Sequence, residues 1–181
     1  MWVSGSGKWT LINNLKKQNL DLHIPLSYKS RPKREFEIDW VDAFFISKTD
    51  FEKAIENKEF LEYAIVHWKD YYWTKYDDVI KNGIDLWRIV VKELDIHWLK
   101  RLIKEKTKLS QYYTTIFLNI PLKKLEQRIK QRWESITKDE LEARKQSAIM
   151  EEQEARKYCD YMLDATQSPE KVLKEVLEII K

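Results

Sequence analysis

The chain has 181 residues, 33 Lys and Arg against 30 Asp and Glu, and a formal net charge of +3, a size that suits one domain with a proper core. Its basic residues are interleaved with acids, so it lacks the charge footprint of a nucleic-acid binder. The lone Cys159 excludes an internal disulfide and a cysteine metal cluster, and with no apolar run of ~18 residues and no signal-peptide pattern the expected location is cytoplasmic, away from membranes.

At the N-terminus, Ser4-Gly5-Ser6-Gly7-Lys8-Trp9-Thr10 has the outline of a phosphate-binding loop. Backbone N–H groups of such a loop cradle phosphates, the lysine reaches the outer ones, and a hydroxyl completes a magnesium shell. The full pattern asks for glycine at position 2 and Ser or Thr at position 9, and Trp2 and Trp9 stand there. The variant spelling Gly-Lys-Gly-Thr moves the hydroxyl to Thr10 and leaves a single kind of anomaly, Trp for Gly. The alternative is a flexible N-terminal segment with Lys8 as a surface lysine. A loop of this kind normally follows a buried strand of about five apolar residues, and only Met1 to Val3 precede Ser4, so either the true start lies upstream or the first strand has been lost, with a miscalled start the simpler expectation.

Lys8 to about Asn19 forms the next expected helix, with Leu11, Ile12 and Leu15 on one face. Short β-rich runs punctuated by Pro25 and Pro32 fill residues 22–74, interrupted by a helix that Ser47 opens with Asp50 three residues on. Arg88 to Ile96 is β-branched and is expected as a central strand, and Tyr113 to Ile120 as a second one that Pro121 closes before a helix over 122–131. Thr137 and Glu140 make a capping box for a long polar helix to about Lys157. A last strand at Tyr161–Asp164 leads to a helix capped by Ser168-Pro169 with Val172, Val176, Leu177 and Ile180 inward.

Four ordered segments resemble guanylate kinase: Ser27-Tyr28-Lys29-Ser30-Arg31-Pro32-Lys33-Arg34, Asp39-Trp40-Val41-Asp42-Ala43-Phe44-Phe45-Ile46-Ser47, Glu59-Phe60-Leu61-Glu62-Tyr63-Ala64 and Tyr71-Tyr72-Trp73-Thr74. The resemblance covers nearly the whole chain. It implies a P-loop α/β fold of three layers with a parallel central sheet, a GMP-binding β-rich insertion over about 22–74, a core of 1–21 and 75–181, and a helical lid over about 128–150. It implies that Ser4, Gly5, Ser6, Gly7, Lys8, Trp9 and Thr10 bind ATP with Mg2+, Thr10 directly on the metal. Ser27, Arg31, Arg34 and Tyr72 then hold the GMP phosphate and Glu62 and Thr74 select guanine. Guanidinium forks suit a dianionic phosphate, and a carboxylate accepts from the N1–H and amine of guanine. Glu93 and Asp95 stand at the family's Asp-x-Asp, near the GMP site with Glu93 on magnesium through water; alternation alone leaves open that both are the polar face of an exposed strand. Arg128, Arg132 and Arg144 resemble the lid arginines that stabilise the transferring phosphoryl. Ala43 stands where the family has a tyrosine that binds phosphate.

The tryptophans make a second pattern. Trp2, Trp9, Trp40, Trp68, Trp73, Trp98 and Trp133 fall where the family has or allows glycine, and only Trp87 is unassigned. Three glycines in the chain are far below the usual ~7%, whereas three glycines plus eight tryptophans are near normal. The expectation is a gene whose UGA codons mean glycine and were translated as tryptophan; the competing account is a real chain unusually rich in tryptophan.

The sequence therefore points to a guanylate kinase acting on GMP and ATP. Two alternatives are a guanylate-kinase-like module that binds a protein without turnover, and a related P-loop kinase with another acceptor.

Overall fold

The computed structural model describes residues 5–33, 35, 37–41, 43–57, 59–66, 70–94, 96–105, 113–132 and 136–180. In chain order the elements are α1 (Lys8–Lys16), β1 (Leu22–His23), β2 (Tyr28–Lys29), β3 (Phe44–Phe45), α2 (Lys48–Glu56), β4 (Phe60–Val66), β5 (Asp70–Lys75) and α3 (Tyr76–Lys81). A 3-10 turn over Ile84–Leu86 precedes β6 (Ile89–Val90), α4 (Ile96–Glu105), β7 (Ile116–Asn119), α5 (Leu122–Arg132), α6 (Lys138–Tyr158), β8 (Tyr161–Asp164) and α7 (Pro169–Ile179). The fold class is α/β, as expected. The chain divides into two compact units, residues 1–19 with 93–181, and residues 20–92.

In the first unit β7 and β8 pair in parallel, Ile116 with Tyr161 through Asn119 with Asp164. Its core gathers Leu99, Phe117, Leu118, Leu125, Ile129 and Ala155, with Leu11 of α1 packed against it. The caps explain the helix starts. Ser168 Oγ accepts the Lys171 N–H with Pro169 opening α7, and Thr137 and Glu140 satisfy each other's backbone N–H at the start of α6. Of the α7 face expected inward, Val172 and Val176 are buried and Leu177 and Ile180 half-buried.

In the second unit four strands run in the order β3-β2-β5-β4, with β2–β3 parallel and the other two pairings antiparallel. Tyr28 lies opposite Trp73 and Lys29 opposite Tyr72, so period-two alternation sorts the side chains into two faces. One is an aromatic core under α2, where Phe51 stacks on Tyr71 at 4.1 Å and meets Trp73 at 4.5 Å. The other carries Lys29, Tyr72 and Thr74. As expected, Ser47 caps α2 by accepting the Asp50 N–H.

Two elements are shorter than their sequence pattern. The helix after the loop ends at Lys16 instead of about Asn19. The strand expected over Arg88–Ile96 is only Ile89–Val90, because its partner β1 is itself two residues long, and Ile96 already begins α4. The expected strand at Tyr113–Ile120 holds as Ile116–Asn119, and Tyr161–Asp164 holds as written.

Trp40 and Trp87 have φ of 66° and 58°, and they are the only non-glycine residues with positive φ among those described. Such backbone is an outlier for a bulky side chain.

Candidate active site

The loop expected to bind phosphate turns through two left-handed glycines, Gly5 at φ 96° and Gly7 at φ 99°. Gly7 is the N-cap of α1 and offers no side chain to the first-turn N–H groups, which leaves them to an external acceptor. Ser6 is buried, and its hydroxyl has no hydrogen-bond partner among the described residues. Lys8 opens α1 with Nζ 3.5 Å from Glu93 Oε2, which brings the expected phosphate lysine and the expected metal-side carboxylate together from 85 residues apart. Trp9 and Thr10 sit exposed on the same first turn.

Arg128 on α5 is tied to this loop. It donates from Nη1 to the carbonyls of Ser6 at 3.3 Å and Gly5 at 3.4 Å, and from Nη2 to Ala165 O at 2.8 Å. One guanidinium thus clips the loop to the turn after β8. That turn is fixed by Asp164, whose carboxylate accepts the Thr166 hydroxyl and backbone N–H and is held below its ordinary value by those two bonds. Arg144 is half-buried on α6, and Arg132 ends α5 with a side chain outside the described part. Ser4, Arg34 and Asp95 lie outside the described residues.

The donor set suits magnesium held chiefly by phosphate oxygens and water. Thr10 and Glu93 supply hard oxygen, and no cluster of three or more His, Cys, Asp or Glu that could cage a metal occurs among the described residues.

In the second unit the polar face of the sheet carries Tyr72 and Thr74, and Arg31 bonds to it. Arg31 donates from Nε to the Tyr72 hydroxyl at 2.8 Å and grips Glu37 with both terminal nitrogens, at 2.6 and 2.5 Å. The bond to Glu37 raises the Arg31 pKa further above its already high value, so the guanidinium is permanently charged. Phe45 floors this cluster, its ring centroid 5.4 Å from the Arg31 guanidinium. Thr74 is fully buried on the same face, and Glu62 occupies the register position opposite it, although the Glu62 side chain is outside the described part. Ser27 accepts a hydrogen bond from Lys92 Nζ at 2.8 Å. Ala43, where a phenol is expected, is completely buried.

Three residues here escaped sequence reasoning: Glu37, Lys29 and Lys92. Glu37 is buried and takes Lys29 Nζ at 3.3 Å as well as Arg31. A buried carboxylate needs such partners, and the sequence offers no signal that singles out Glu37 from Glu35 and Asp39 beside it.

The guanylate kinase family model matches residues 3–181. The guanylate kinase of Sulfurimonas denitrificans is 32% identical over 178 residues, 97% of this chain and 83% of that one. That of Mycoplasmopsis pulmonis is 34% identical over 183 residues, 98% of this chain and 89% of its own. Among solved structures, guanylate kinase from Anaplasma phagocytophilum superposes with a TM-score of 0.71 at 17% identity, over 94% of this chain and 79% of that one, a likeness of fold. The match runs from the glycine loop through the Arg31–Tyr72 face to α7, and the chain belongs to the guanylate kinase family.

Proposed function

We propose that this chain transfers the terminal phosphoryl group of ATP to GMP, giving ADP and GDP. Gly5, Ser6, Gly7 and Lys8 bind the donor phosphates, with Ser4, Trp9 and Thr10 completing the loop. Ser27, Arg31, Arg34 and Tyr72 bind the acceptor phosphate. Glu62 and Thr74 select guanine, with Asp95 and Glu93 on the acceptor side. A phosphate oxygen of GMP forms the new bond to the γ-phosphorus of ATP while the β–γ bridging bond breaks, and its electron pair leaves on ADP. A magnesium ion carried by ATP neutralises phosphate charge when bound, and Thr10, with Glu93 through water, would hold it. Lys8, Arg128, Arg132 and Arg144 supply fixed positive charge for oxygens that become more negative in the transition state.

The observation that carries this reading is the β4–β5 register. It sets positions 62 and 74 directly opposite each other, and such cross-strand pairs project to one side of the sheet. A carboxylate and a hydroxyl there match the donor and acceptor edge of guanine. Glu62→Gln should raise the KM for GMP about tenfold or more, the size of a lost charge-assisted hydrogen bond, and leave the KM for ATP unchanged. Equal effects on both substrates would remove Glu62 from the guanine site.

A further inference from the structure

We propose that Lys92 is a positioning residue for the acceptor phosphate, acting through Ser27. This rests on the reading of Ser27 as an acceptor-phosphate ligand. Lys92 lies two residues beyond β6 and gives its ammonium to Ser27 Oγ at 2.8 Å, across 65 residues of sequence. A serine hydroxyl has one proton to donate and two lone pairs to accept with. An ammonium can only donate, so its bond occupies a lone pair of Oγ and leaves the hydroxyl proton for an anionic oxygen. The same bond fixes a rotor that would otherwise be free and places a positive charge beside it. Lys92 thus makes Ser27 a donor in advance of binding, and a preset donor forfeits less on binding than one that must reorient. On the adjoining β2 segment Lys29 and Arg31 share the Glu37 carboxylate.

The test is steady-state kinetics on Lys92→Met, Lys92→Arg, Ser27→Ala and the Lys92→Met/Ser27→Ala pair, each shown to be folded by thermal melting. Lys92→Met should raise the KM for GMP about tenfold with the KM for ATP unchanged, since a charge-assisted bond is lost at the acceptor only. Lys92→Arg should recover most of it. In the Ser27→Ala background Lys92→Met should cost clearly less, because the hydroxyl it orients is gone. Additive effects of the two substitutions, or equal changes for both substrates, would overturn the proposal. Should Lys92→Met fail to fold, Lys92→Gln, which keeps a donor without the charge, gives the same comparison. A wild-type chain that does not phosphorylate GMP at all would instead sink the reading of Ser27.

Independently, we infer that positions 40 and 87 are glycine positions of the working enzyme, and position 9 with them. Trp40 and Trp87 are the described non-glycine residues with left-handed backbone, and their indoles are 75% and 95% exposed. Trp9 is 70% exposed beside the phosphate lysine. Tryptophan is a residue that proteins bury, and left-handed turns are where they use glycine. A tryptophan that served an exposed docking surface would have no need of positive φ. Even the buried Trp73 leaves its Nε1–H without a partner among the described residues. Peptide mass spectrometry on the protein purified from the organism that carries the gene decides it. Glycine at 9, 40 and 87 is the expected result, and tryptophan at 40 or 87 would overturn the inference.

Discussion

Arg31 and Glu37 form the tightest charged pair described on the polar face of the second unit's sheet, with side chains 11% and 9% exposed. Removing one partner of such a pair strands the other in low dielectric, which costs about 3 kcal/mol. Glu37→Ala should therefore lower the stability measured by urea unfolding by about that amount and raise the KM for GMP as the Arg31 fork loses its orientation. At Trp87 the opposite sign applies. A side chain with a Cβ in left-handed backbone costs about 1–2 kcal/mol, and this indole is almost wholly in water, so Trp87→Gly should raise the melting temperature. Ser27, Arg31 and Glu62 were legible on the acceptor side through the resemblance of their segments, which depends on residue order along the chain and not on the fold. Glu37, Lys29 and Lys92 were not, since charges in a polar loop or past a strand end are ordinarily solvated and only the fold shows which of them it covers.

Elements were legible to the extent that their signals are local. The caps at Ser47, Thr137 and Ser168 sit where side-chain chemistry alone puts them, and each helix starts there. Strand length is a different matter, because a strand lasts only as long as its partner. The β-branched stretch from Arg88 to Ile96 says nothing about a two-residue β1, and so it overstates β6. The register that sets residue 62 opposite residue 74 is likewise a property of two strands together. The 3-10 turn before β6 is held by close approach at Gly83. A Cβ added there would run into the Val90 side chain and come within 2.6 Å of the Val79 carbonyl. Backbone does not yield as a flexible side chain does, so Gly83→Ala should destabilise the chain by about 2 kcal/mol in denaturant unfolding.

At the scale of the molecule, each unit carries a carboxylate stabilised in its charged form. In one, Glu59 is held below its usual pKa by the hydrogen bond from Lys75, and in the other Asp164 by its bonds to Thr166. A group whose folded pKa is depressed contributes stability above its unfolded value that disappears as pH falls through the folded one. Melting temperature should hold from neutral pH down to about pH 4 and fall below it, where these carboxylates take up protons. A Glu59→Gln/Asp164→Asn variant should show a shallower acid limb and lower stability at neutral pH.

The proposed reaction is the phosphorylation of GMP, with Glu62 and Thr74 selecting the base. ADP formation with GMP, IMP and AMP as acceptors, in ATP and magnesium, tests it most directly. The account requires a kcat/KM for GMP well above that for IMP, which lacks the exocyclic amine that Glu62 accepts from, and further above that for AMP. Equal turnover of all three, or none with GMP in a folded chain that carries glycine at positions 9, 40 and 87, would contradict it.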